Sequence, residues 1–266
     1  MTNAAITMNT KQPFGASLKD DQAAEFSDFL DIGISFAFQP IVTLRNGLEA
    51  IGHEALVRGV MGQPAGQIIA SIRPENAFRF DQACRLRALQ VARECGLETP
   101  VHLNCTHVDF SNLDHAMELT LQRAYALSFD TSQIVLEFGN LVRLGNPRQL
   151  GAVSRRASEF GFRVLADNIG TGDVGLKRLA VFRPDLVKLD REIVNQVDRS
   201  PRRQAMISAI IALCRSLKIE VIASGVETLA EFNWLREQGV DLFQGYLFAR
   251  PGFEEAPEVA PPLARA

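Results

Sequence analysis

Residues 148–167 read RQLGAVSRRASEFGFRVLAD, and this run sets the pattern for the whole chain. Helical character fills 148–160, Gly161 stops it, and a short strand-like stretch follows over 163–167. The same order returns elsewhere. Over 81–95, Cys84, Ala88, Val91, Ala92 and Cys95 fall at the helical period before Gly96 ends the run. Over 204–217, Met206, Ile210, Leu213 and Leu217 form one expected core stripe. Thr228-Leu229-Ala230-Glu231 is a capping box opening a further helix, which Gly239 closes.

Between the helical runs lie short β-rich stretches at 36–42, 50–56, 101–104, 134–137, 163–167, 186–188, 220–223 and 242–244. Several are continuously apolar, as strands covered on both faces are. Helix, glycine and strand in repetition predict an α/β fold, a TIM-like (β/α)8 barrel in a single domain. A doubly wound open sheet is the competing architecture, and the strand count favours the barrel. No internal repeat is visible.

The chain of 266 residues suits one such barrel, and 47% hydrophobic content supplies a large core. A net charge of -3 without a long basic run argues against a nucleic-acid partner. Cys84, Cys95, Cys105 and Cys214 form no CxxC pair and sit among apolar neighbours. They are expected to be buried thiols in a reducing, cytoplasmic setting. The start carries no signal-peptide pattern, and no stretch reaches the roughly 20 apolar residues of a membrane span. Residues 1–28 are expected to be flexible, 29–253 to form the barrel, and 254–266 to be a disordered proline-rich tail.

A barrel of this kind carries its chemistry at the C-terminal ends of its strands. Those ends hold Glu54, Asn104, Glu137, Asp167, Lys188 and Gln244. Crowded carboxylates are tolerated where a cation sits among them, and all-oxygen donors suit Mg²⁺, Mn²⁺ or Ca²⁺. Periodicity alone leaves a metal site and a set of structural ion pairs equally open. His53 is read as a packing residue. His102 is expected to face away from the site if Asn104 faces it from the strand end.

The run Phe38-Gln39-Pro40-Ile41-Val42, followed by Glu54-Ala55-Leu56-Val57-Arg58, resembles the opening of EAL domains. The likeness continues through Leu103-Asn104, Val135-Leu136-Glu137 and Asp167-Asn168-Ile169-Gly170-Thr171-Gly172. It runs on through Val187-Lys188-Leu189-Asp190, Ile222-Ala223-Ser224-Gly225-Val226-Glu227-Thr228 and Phe243-Gln244-Gly245-Tyr246, in order. The stretches Arg73-Pro74-Glu75-Asn76 and 79–85 resemble EAL domains coupled to blue-light BLUF sensors. The resemblance implies an EAL-type barrel and metal-dependent hydrolysis of cyclic di-GMP to pGpG. It implies Glu54, Asn104, Glu137 and Asp167 as ligands of a first Mg²⁺ or Mn²⁺, and Lys188 as holder of a metal-bound water. Gln39, Arg58, Gln244, Tyr246 and Pro251 would border the dinucleotide.

The chain departs from that pattern at the second metal. Asn168 stands where the family carries an acid, and Ser224 stands where it carries a glutamate. Glu227 is kept. Asn140 and Asp173-Val174-Gly175 also differ from the family, which points to an altered loop and an altered homodimer interface. A single retained metal and no second one are therefore expected, with Lys188 vestigial. The implied function is a catalytically impaired cyclic di-GMP receptor with a regulatory protein partner. The alternatives are an active phosphodiesterase and a protein-interaction module that no longer takes the nucleotide.

Overall fold

The computed structural model describes residues 33–139, 141, 145–170 and 176–261. β1 (Ile34–Thr43) and β2 (Glu49–Gly59) form an antiparallel hairpin, with Ile34 opposite Gly59 and Thr43 opposite Glu49. Next come α1 (Ala65–Ala70), a 3₁₀ turn at Pro74–Asn76, α2 (Ala77–Glu94), β3 (Val101–Asn104) and α3 (Leu113–Ala126). β4 (Ile134–Phe138), α4 (Pro147–Glu159), β5 (Arg163–Ile169), α5 (Leu176–Phe182) and β6 (Leu186–Leu189) continue the alternation. α6 (Arg191–Val194), α7 (Pro201–Leu217), β7 (Glu220–Ser224), α8 (Leu229–Glu237), β8 (Leu242–Gln244) and β9 (Gly252–Phe253) complete it.

Strands β2 through β8 pair in parallel in chain order, and β1 closes the ring between β8 and β2. The expected barrel is therefore present, with one departure from uniform (β/α) repetition. β1 runs antiparallel to both neighbours, and a hairpin rather than a helix joins it to β2. β9 lies on the other edge of β1, with Phe38 opposite Gly252.

Alternation along the strands stacks two layers inside the ring. Ile41, Val135, Leu165, Leu186, Ile222 and Leu242 pack together as an apolar plug. Two residues further toward the mouth on the same strands stand Gln39, Glu137, Asp167, Lys188, Ser224 and Gln244. A larger apolar core lies outside the ring, between the strands and the helices.

The helix termini follow local chemistry. Asn146 accepts from the Gln149 amide at 3.0 Å, with Pro147 in the first turn of α4. The Thr228 box at α8 is present as expected. α7 corrects the sequence reading: Met206 and Leu217 are 46% and 43% exposed, and Ile207, Ile210, Ile211 and Cys214 face the core. Helical spacing allowed two apolar faces, and the barrel takes the β-branched one. Cys105 and Cys214 are buried, whereas Cys84 and Cys95 are only partly so.

The described part of the tail touches the barrel at two points: the Glu254 amide donates to the Phe36 carbonyl at 3.0 Å and the Ala260 amide to that of Phe248 at 3.3 Å. Val259 packs on the core. The segment expected to be flexible, 1–28, lies outside the described residues, as do Asn140 and 171–175.

A buried ion pair ties α2 to the chain beyond β3. Asp81 and Arg85 face each other one helical turn apart, both nearly fully buried. Asp81 Oδ1 also accepts from the Thr106 hydroxyl at 2.6 Å and the Thr106 amide at 3.2 Å. Arg85 donates to Gln82 Oε1 at 2.5 Å and reaches Cys105 Sγ at 3.5 Å. The pair thus fixes the loop that follows Asn104. Arg85→Leu strands the Asp81 charge and is expected to cost about 3–5 kcal/mol in urea unfolding. A loss below about 1 kcal/mol would contradict this account.

Candidate functional site

Eight strands bring polar side chains to the open end of the barrel, and Lys188 stands at their centre. Its ammonium lies 2.6 Å from Glu137 Oε2 and 3.0 Å from Glu54 Oε2. Gln244 Nε2 donates to Glu54 Oε2 at 2.8 Å, and Asn104 Nδ2 approaches Glu54 Oε1 at 3.4 Å. Ser224 Oγ lies 3.4 Å from Gln244 Oε1, so Ser224 faces the bowl. Glu137 and Lys188 are buried at 0% and 3% exposure.

Asp167 reaches this group through a bulge in β5. Ala166 pairs with Val187 and Ile169 with Leu189, so Asp167 and Asn168 together oppose the single residue Lys188. Asn168 takes a left-handed conformation, φ 58°, which an asparagine tolerates. Its amide donates to Asp167 Oδ2 at 3.1 Å.

Electrostatics follow from this crowding. Burial drives Glu137 from its ordinary 4.5 up to about 7; Lys188 opposes the shift and the Glu54 charge adds to it. Asp167 rises from 3.8 to about 7 by burial, with Glu137 and Glu54 adding to the rise against Lys188. Glu54 is held below its ordinary value, because Lys188, Gln244 and Asn104 outweigh its burial. Burial works to lower Lys188, but Glu137, Glu54 and Asp167 overcome it and keep the ammonium charged.

The ligand-side residues stand around this centre. Gln39 is the cross-strand partner of Glu54 and donates to the Ala249 carbonyl at 3.2 Å, tying β1 to the segment after β8. Arg58 lies on the face of β2 that carries Glu54 and folds onto the Val57 carbonyl at 2.8 Å. Tyr246 is exposed, with the Arg250 guanidinium 4.3 Å from its ring centre, and Pro251 is partly buried beyond it. Gly245 permits a close approach there, since a Cβ on it would lie 2.0 Å from the Val226 carbonyl oxygen.

Glu227 is not brought into the bowl; its carboxylate pairs with Arg191 at 2.6 Å. Asp190 caps α6, accepting from the Glu192 amide at 2.6 Å. The loop carrying Glu227 hangs instead on Glu231. That buried carboxylate accepts from the amides of Glu227 and Thr228, both at 3.0 Å, and of Gln196 at 2.8 Å.

The two histidines next to the site differ in direction. His53 points outward, buried against Thr99 Oγ1 at 2.7 Å, and is a packing residue as expected. His102 corrects its expectation: it points into the bowl, with Nδ1 2.8 Å from Glu137 Oε1. The two-residue strand period puts positions 102 and 104 on one face, and that signal was available.

The sequence profile of the EAL domain matches residues 26–251. The chain belongs to the EAL domain family. The blue light- and temperature-regulated antirepressor BluF of Escherichia coli is 30% identical over 85% of this chain and 56% of its own. A cyclic di-GMP phosphodiesterase of Pseudomonas aeruginosa is 28% identical over 84% of this chain and 39% of its own. This EAL chain thus spans about half or less of these curated relatives. A standalone EAL protein of Vibrio cholerae, solved with cyclic di-GMP, superposes with a TM-score of 0.82 at 34% identity, covering 89% of this chain and 99% of its own. BlrP1 of Klebsiella pneumoniae, solved with manganese and cyclic di-GMP, gives 0.80 at 30% identity, covering 88% and 59%.

The donors of this EAL bowl fit a hard dication by chemistry. Glu54, Asn104, Glu137 and Asp167 offer oxygen alone, and the burial and mutual repulsion that raise Glu137 and Asp167 are what such an ion offsets. Among the described residues no group of three or more acidic, histidine or cysteine side chains is arranged to hold a metal ion, and Lys188 bridges the two glutamates. A dication drawn to Glu54 and Glu137 competes with that ammonium for the same oxygens.

The raised acids make stability depend on pH with a definite sign. Between about pH 4 and pH 7 the folded chain keeps protons at Asp167 and Glu137 that the unfolded chain has released. Their contribution to stability therefore declines as pH rises through that window. Asp167→Asn is expected to shrink the decline, read as urea midpoints at about pH 5 and pH 7. An undiminished decline in the variant would remove Asp167 as its source.

Proposed function

We propose that this EAL chain is a cyclic di-GMP receptor acting as a regulatory module, with two-metal hydrolysis impaired. Gln39, Arg58, Gln244, Tyr246 and Pro251 would hold the dinucleotide, with the planar fork of Arg58 suited to a phosphate. Glu54, Asn104, Glu137 and Asp167 would hold one Mg²⁺ or Mn²⁺. Such an ion, when bound, neutralises phosphate charge and acidifies a bound water.

The observation that carries the impairment is local. Beside Asp167 stands the neutral amide of Asn168, which donates to it, and across the bowl stands the hydroxyl of Ser224. The two acids that could stand in are engaged elsewhere, Glu227 with Arg191 and Asp190 with the start of α6. A second dication at that half of the bowl would meet fewer negative charges, and charge count governs affinity for hard ions. The description of BluF as an antirepressor supports a regulatory protein partner.

An active, metal-dependent phosphodiesterase releasing pGpG is the second reading. It is favoured by the relatives described as cyclic di-GMP phosphodiesterases and by the first-metal donors and Lys188 kept in one bowl.

Calorimetric titration with cyclic di-GMP, with and without Mg²⁺, tests the receptor. Heat of binding is expected by roughly 50 µM ligand, and its absence rejects the reading. Chromatography for pGpG after incubation with Mn²⁺ tests the impairment. Asn168→Asp combined with Ser224→Glu is expected to raise turnover on the order of 10²-fold. Natural protein as fast as the double variant would instead establish the active enzyme.

A further inference from the structure

Five strands follow one rule inside the barrel: an aliphatic residue stands two positions before the polar side chain of the mouth. Val135 precedes Glu137, Leu165 precedes Asp167, Leu186 precedes Lys188, Ile222 precedes Ser224 and Leu242 precedes Gln244. β3 breaks the rule, for there His102 precedes Asn104. A polar ring at the level of an apolar plug needs both room and a partner.

The fold supplies both. Room comes from Gly52 on the neighbouring strand, where a Cβ would come 3.0 Å from His102 Nε2. The partner is Glu137, whose Oε1 lies 2.8 Å from Nδ1. When Glu137 is ionised its oxygens only accept, and the proton of this bond then sits on Nδ1. The other oxygen of Glu137 points to Lys188 at 2.6 Å.

We infer that His102 is a positioning residue: by occupying Oε1 it fixes the carboxylate plane of Glu137 and leaves Oε2 as the oxygen offered to a cation in the bowl. In the present arrangement that cation is the Lys188 ammonium; with a dication bound, the same oxygen is presented. Neutral imidazoles and amides behind a ligand typically change metal affinity about 10–100-fold when removed. This role rests on the metal reading above, and its test separates the two.

Three variants are compared by Mn²⁺ calorimetry. His102→Asn keeps an N–H near the place of Nδ1, His102→Gln puts one near Nε2 instead, and His102→Leu keeps bulk without a donor. Leu and Gln are expected to lose roughly 10–100-fold in Mn²⁺ affinity, with Asn within about fivefold of the natural protein. Equal affinity across the three, whether kept or lost, overturns the role. If the Leu variant does not fold, the contrast between Asn and Gln decides. Natural protein that takes up no Mn²⁺ sinks the metal reading, and nitrogen NMR of His102 then decides the orientation on its own. A proton on Nδ1, shielded from exchange, upholds it; a proton on Nε2 overturns it.

Discussion

Carboxylates that converge in a dry bowl raise one another's energy, and a positive charge among them is the condition of their sharing it. Here the Lys188 ammonium meets that condition, in direct contact with Glu137 and Glu54 and within the field of Asp167. The pairing is asymmetric. Glu54 gains further donors from Gln244 and Asn104 and stays readily ionised, while Glu137 and Asp167 are pushed toward neutrality. The bowl is therefore a charge balance poised near neutral pH, not a fixed anionic cup.

The architecture that delivers these groups is simple. An apolar layer plugs the ring, and the next inward layer toward the mouth is polar. The β5 bulge brings two consecutive residues, Asp167 and Asn168, opposite one on β6. The rim is then pinned from outside by buried carboxylates: Asp81 holds the chain after Asn104, and Glu231 holds the loop after Ser224. Neither touches the centre, yet each decides where a central side chain begins.

The strand ends were legible because a charged residue closing an apolar run in a barrel marks the point where the strand leaves its apolar layer for the mouth. Asn168 and Ser224 were legible as substitutions within recognisable motifs. Other features resisted for physical reasons. An apolar strand reads alike in both directions, so the reversal of β1 left no mark in its composition. α7 carries apolar residues on two faces, and only packing chose Ile207 and Cys214 over Met206 and Leu217. The tail looked loose by composition, but backbone hydrogen bonds to Phe36 and Phe248 need no particular side chain. His102 was a misjudged period rather than a missing signal.

The reversal of β1 has a geometric outcome of its own. Because Ile34 pairs with Gly59 and Ser35 with Arg58, the chain comes into the barrel at the functional rim rather than at the opposite end. The doorway of the described chain and the phosphate-side arginine thus share one edge of the barrel, so a change in the pairing of Ser35 would be felt at Arg58 without passing through the barrel wall.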